Sequence, residues 1–199
     1  MVAGEEQASG LSPLPRRAWL RGAVGGTVGL AALTLVGCGS SGKVPTQAVE
    51  GSPEPVQSDD VAILNRLLDL ERQTVAAYTA GTPLLPRPEA RTARQFLDEE
   101  LEHTGELLSL IKAADGISVD RRPSYDLGHP RSAGDVLTLL HALERAQVSE
   151  YLAAIPRLSP GPVRAAAASI LASDAQHIAI LRLAQGDVPA PSAFVTGRE

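Results

Sequence analysis

From Ser58 onward the apolar residues recur at intervals of three and four, the period of a helix with one buried stripe. The first such segment opens on Ser58, Asp59 and Asp60, residues suited to a helix N-terminus, and stops at Gly81 with Pro83 behind it. A second helix is predicted from Pro88 to Gly116, a third from Ser132 to Pro156, and a fourth from about Gly161 to Gln185, ahead of Gly186 and Pro189. Short loops containing proline join the first helix to the second and the third to the fourth, so each pair is expected to form an antiparallel hairpin. The 17 residues of "DGISVDRRPSYDLGHPR" between the hairpins are long enough, at ~3.3 Å each, to run the length of a helix. Short, long and short connections predict an all-α fold, a four-helix bundle with one crossover.

The stripes repeat. In the first helix Leu64, Leu68, Glu71, Val75 and Tyr78 follow a heptad seam, and the same spacing in the third selects Leu137, His141, Glu144, Val148 and Tyr151. The second helix gives Ala93, Phe96, Glu100, His103, Leu107 and Leu110; the fourth gives Ala167, Ile170, Asp174, His177, Leu181 and Ala184. The chain is therefore a duplicated hairpin, offset by 73 residues from Glu71 to Glu144 and by 74 from Glu100 to Asp174.

Six ionisable groups fall inside these apolar stripes: Glu71, Glu100, His103, Glu144, Asp174 and His177. A lone buried carboxylate costs several kcal/mol, or its pKa rises until it is neutral, so four in one core need compensation. No Lys or Arg occupies the seams, and four carboxylates with two neutral imidazoles would be balanced by two divalent cations. An acid three residues before a His puts both side chains on one helix face. One such pair per hairpin plus one Glu from each remaining helix is a di-metal arrangement that bundle cores support. Mixed oxygen and imidazole donors place iron first, then manganese or zinc.

Ahead of the bundle the pattern changes. Arg16 and Arg17 precede an uncharged run from Ala23 to Val36 that ends at Cys38, which describes an export signal too short for an ordinary membrane span. "RRAWL" resembles the twin-arginine export motif, and "LVGC" resembles a lipobox that makes Cys38 the lipidated first residue of the mature chain. Four segments follow: an export signal over 1–37, a flexible Gly-, Ser- and Pro-rich tether over 38–57, the bundle over 58–186 and a tail over 187–199. Cys38 is the single cysteine, so no disulfide forms within the chain. Without residues 1–37, 15 basic and 21 acidic residues leave a net charge of −6, which argues against nucleic acid as a partner. The 199 residues, 44% hydrophobic, then leave room for one domain with a real core.

"ILNRLLDLERQTVAAYTAG", "DEELEH", "SYDLG" in the crossover, and "LERAQVSEYLAAI" followed by "ILASDAQHIAILR" resemble the ferritin-like superfamily. Within it, the likeness is to the ferritin-like domain of desiccation-related and exported bacterial proteins, over about Asp60 to Leu183. The resemblance implies a carboxylate-bridged metal pair with Glu71 and Glu144 as terminal ligands, Glu100 and Asp174 as bridges, and His103 and His177 as one imidazole per metal. It also implies that Tyr78 and Tyr151 hydrogen-bond carboxylates on facing helices. Asp174 departs from the usual Glu by one methylene, which leaves that bridge strained or one metal weakly held. His141 is read as a core histidine, with a role beside the ligands as the alternative. Asp98, Glu99, Glu102 and Glu106 are read as a solvated outer face, and Arg121 and Arg122 as surface charges.

The expected function is an envelope-anchored di-metal protein, held to the extracytoplasmic face of a bacterial membrane by lipid on Cys38. Oxidation of the metal pair by dioxygen or peroxide is the expected chemistry, and a homodimer is compatible with it. The competing expectation is a metal-free bundle that serves as an envelope stress or interaction protein.

Overall fold

A computed structural model describes residues 55–199, apart from Arg121 and Pro123. Helices α1 (Val61–Gly81), α2 (Arg87–Ala113), α3 (Ala133–Ala154) and α4 (Pro162–Gln185) form the expected four-helix bundle, with no strand among the described residues. Each hairpin pairs its own helices, α1 with α2 and α3 with α4; α1 also packs on α3, and α2 meets α4 less closely. None of the described helices is long and apolar enough to cross a membrane. Arg16, Arg17 and Cys38 lie outside the described residues.

The repeat extends into the turns. A 3₁₀ turn follows α1 at Thr82–Leu84 and another follows α3 at Ile155–Arg157, each holding a proline that ends the α-helix. The helix starts differ from each other. Ser132 caps α3 by accepting from the Asp135 amide, and Asp135 accepts from the Ser132 amide in return. Ser58 caps nothing, because Ser58–Asp60 is a 3₁₀ turn. Asp60 is buried instead, accepting from the Gln57 amide at 3.1 Å and from the Ser159 amide at 2.9 Å, which ties the start of α1 to the loop before α4.

The crossover is fastened to α1. Asn65 bonds Ile117 and Val119 through both ends of its amide, and Arg72 donates to the Val119 carbonyl at 2.7 Å. Arg122 is an exposed charge, as expected, and it grips both carboxylate oxygens of Asp69, which also accepts from the Tyr125 hydroxyl. Near the other end of α1, a Cβ on Gly81 would lie 2.7 Å from Val136 Cγ1, so glycine is what allows α1 to end against α3.

The apolar core is in two parts. One gathers Leu64, Leu67, Leu68, Leu107, Ile111, Val163 and Ile170; the other gathers Ala77, Phe96, Val136, Leu137, Leu140 and Leu181. Both clusters draw on all four helices, and the charged seam residues lie between them along each helix.

Candidate metal centre

Glu71 on α1, Glu100 on α2, Glu144 on α3 and Asp174 on α4 are each 0% exposed, so one carboxylate from every helix is withdrawn from water. His103 and His177 follow Glu100 and Asp174 by three residues, just under one helical turn, and therefore share their faces. One ligand atom from each of Glu100, Glu144, Asp174 and His177 lies within 4.8 Å of the others, and the same holds for Glu71, Glu100 and His103. The six seam residues thus form two overlapping groups that share Glu100.

The two tyrosines cross between the hairpins. Tyr78 on α1 donates to Glu144 Oε1 at 2.6 Å, and Tyr151 on α3 donates to Glu71 Oε1 at 2.5 Å. A glutamine that the seam pattern passes over lies beside them. Gln147, fully buried, donates its amide to Glu71 Oε2 at 2.7 Å and to Glu100 Oε2 at 3.0 Å, and its Oε1 accepts from the Thr74 hydroxyl at 2.9 Å. Thr74 and Gln147 lie one position before the seam residues Val75 and Val148, and hold equivalent places in the repeat. A polar pair at the 73-residue offset was the available signal.

His177 is enclosed on every side. Its Nδ1 lies 3.2 Å from Glu144 Oε1 and 3.3 Å from Glu100 Oε1, its Nε2 lies 2.7 Å from Glu99 Oε2, and Phe96 stacks on its ring at 4.0 Å between centroids. Glu99 is therefore not part of a purely solvated outer face: it turns from the edge of α2 onto a buried imidazole of α4. His103 is more open, with its Nδ1 3.5 Å from Asp174 Oδ1, 3.7 Å from Glu100 Oε1 and 3.8 Å from Glu71 Oε2. His141 takes no part in either group. It is half-buried, and Arg145, Arg182, Asp187 and Glu199 are the charges that act on it.

Burial decides most of the protonation. Removal from water, reinforced by Glu100 and Asp174, pushes Glu71 well above the usual carboxylate range. Burial with Glu144 and Glu100 nearby does the same to Asp174, and burial with Glu100 nearby raises Glu144 to about 7. Glu100 goes the other way, since the nearby His177 imidazole, Glu71 and the Gln147 amide together outweigh the burial that would raise it. His177 would be neutralised by burial alone, but Glu100, Glu144 and Glu99 raise it to about 11. Burial lowers His103, offset only in part by Glu100.

The donor set fits divalent cations. Glu100 Oε1, Glu144 Oε2, both oxygens of Asp174 and His103 Nδ1 are buried without a hydrogen-bond partner among the described residues. Such atoms are rare in native interiors and cost about 1–3 kcal/mol each unless a partner arrives. Oxygen and imidazole donors from four helices, with no thiolate, suit iron or manganese and admit zinc.

No curated protein matches the chain. The crystal structure of a conserved hypothetical protein, rv2844, from Mycobacterium tuberculosis superposes with a TM-score of 0.62 at 20% sequence identity, covering 69% of this chain and 97% of that one. At that identity the likeness is one of fold. Residues 59–187 match the family described as a ferritin-like domain, and the chain belongs to that family.

Proposed function

We propose that the bundle holds two divalent cations, iron first and manganese or zinc after it, on Glu71, Glu100, His103, Glu144, Asp174 and His177. The observation that carries this reading is the group of buried, unpartnered ligand atoms converging from four helices. A bound iron pair would supply the electrons for reduction of dioxygen or peroxide. The chain's own residues do the rest: Tyr78 and Tyr151 hold one oxygen each of Glu144 and Glu71, and Glu99 fixes the His177 ring. Residues 1–37, read as an export signal, and Cys38, read as a lipidation site, support a position of this bundle on the outer face of a bacterial membrane. A twin-arginine route, which carries folded proteins, would let it take up metal before export.

A second reading has an observation of its own. His177, held as a cation by Glu99, Glu100 and Glu144, offsets part of the buried charge without any ion, as a metal-free bundle in an envelope interaction role would require.

Elemental analysis of the full chain, folded with Fe(II) and Mn(II) and compared with the Glu100→Ala, His103→Ala double variant, separates the two. About two ions per chain in the parent and fewer in the variant support the di-metal reading. No ion in either leaves the metal-free bundle.

A further inference from the structure

The repeat matches the ligands of the two hairpins, yet their surroundings are not matched. Glu99 on α2 bonds Nε2 of His177; its repeat partner on α4 is Ser173, and no hydrogen bond joins Ser173 to His103. A serine hydroxyl is too short to reach as Glu99 does. Gln147 on α3 donates its amide to Glu71 and Glu100, whereas its repeat partner Thr74 sends its hydroxyl to Gln147 and to no carboxylate. The His177 side chain is 1% exposed and the His103 side chain 12%. His177 is one of four converging ligand atoms, and His103 one of three.

These differences all act in one direction. Around His177, the imidazole is oriented by a carboxylate on its far nitrogen, an arrangement that strengthens a metal-binding histidine, and Glu144 and Asp174 retain free oxygens. Around His103, the ring has no such orienting partner, and Oε2 of Glu71 and Oε2 of Glu100 already accept from the Gln147 amide. A cation on those oxygens would share them with that amide, which draws on the same electron density.

We infer that the two halves of the site are unequal: the His177 half takes the first cation and holds it tightly, and the His103 half takes a second, weaker and exchangeable one. Glu99 is the positioning residue that sets this order. The inequality rests on the di-metal reading, and it reverses the expectation that the short Asp174 weakens its own half. Asp174 belongs to the group around His177, and its Oδ1 also approaches His103.

The test is a Co(II) titration of the full, metal-free chain, followed by calorimetry and by the visible absorption of the bound ion. Two separated steps are expected, the first at least about tenfold tighter than the second. Glu99→Ala should weaken the first step by about 10- to 100-fold with little effect on the second. Glu99→Gln, which keeps an oxygen acceptor, should restore most of the loss. His177→Ala should remove the tight step, and His103→Ala the weak one. Far-UV circular dichroism of each variant shows that it is folded before titration. Two steps of equal affinity, a tight step lost with His103→Ala, or equal weakening of both steps by Glu99→Ala would each overturn the inequality while leaving two bound ions. A parent chain that binds no Co(II) removes the di-metal reading itself and the inequality with it.

Discussion

Tyr151 on α3 holds Glu71 on α1 at 2.5 Å, so the glutamate of the first hairpin receives its phenol from the second. Tyr78 returns the arrangement to Glu144. Each glutamate takes its phenol from the other hairpin, and the two bonds fasten α1 and α3 together at the level of the site. Tyr151→Phe leaves a fully buried glutamate short of a donor, and should lower the unfolding free energy of the metal-free chain by about 1–3 kcal/mol. Urea denaturation should show an earlier midpoint at unchanged slope. An unchanged midpoint would mean that the Tyr151 hydroxyl contributes nothing net.

The metal-free chain should lose stability as pH rises. Glu144, with its pKa raised from 4.5 to about 7, ionises in the unfolded chain while the folded one still holds the proton; its penalty grows between those values and is complete above 7. Glu71 and Asp174, also raised, act in the same direction. His177, raised from 6.5 to about 11, stabilises fully below 6.5 and loses that contribution as pH climbs through 11. Folded chain thus binds more protons than unfolded chain over this range, the condition for stability to fall with pH. Below 4.5, Glu100, whose pKa is lowered, works in the opposite sense. Melting followed by circular dichroism in the presence of a chelator should give a higher midpoint at pH 5.5 than at pH 8.5.

Cation uptake should release protons. His177 must give up its Nδ1 proton, and Glu71 and Asp174 theirs, before those atoms can act as ligands. Binding should therefore tighten from pH 6 to pH 8, opposite to the trend of metal-free stability. Calorimetric titration in buffers of different ionisation enthalpy measures the protons directly, and a buffer-independent enthalpy would contradict the protonation described above.

The contact between Gly81 and Val136 is a separate test of the hairpin interface. Gly81→Ala should cost about 1–3 kcal/mol, because Val136 is itself fully buried and its short branched side chain cannot swing away. The same change in a Val136→Ala background should cost less, by at least ~0.5 kcal/mol, the coupling expected of residues in contact. Strict additivity in the cycle would show that the space is relieved elsewhere.

What the sequence carried was whatever obeys a period. Heptad spacing places Glu71, Glu100, Glu144 and Asp174 on buried faces, and the repeat identifies which of them correspond; the proline in each short loop separates the helices. Contacts that break the period were not legible. Glu99 lies one residue from the seam and reads as an outer charge, since only the approach of α4 brings His177 Nε2 to it. Gln147 borders the seam, where a polar residue is ordinary, and its bonds to Glu71 and Glu100 depend on how closely α1 and α2 approach α3. His141, conversely, satisfies the spacing but is only half-buried and joins neither group of ligand atoms, with Arg145, Arg182, Asp187 and Glu199 as the charges that act on it. The Ser58 cap failed for a related reason: Asp60 found a tertiary partner in Ser159, and the first turn tightened around it.

The Thr74 to Gln147 bond has a consequence for how such a bundle can be built. In a bundle assembled from two identical hairpins, a residue on the two-fold axis meets its own copy, so whatever one side offers the other offers as well. Carrying both hairpins in one chain lifts that restriction, and here the axis holds a hydroxyl donor on one side and an amide acceptor on the other. Duplication followed by divergence at this single pair turns an even-handed contact into a directional one.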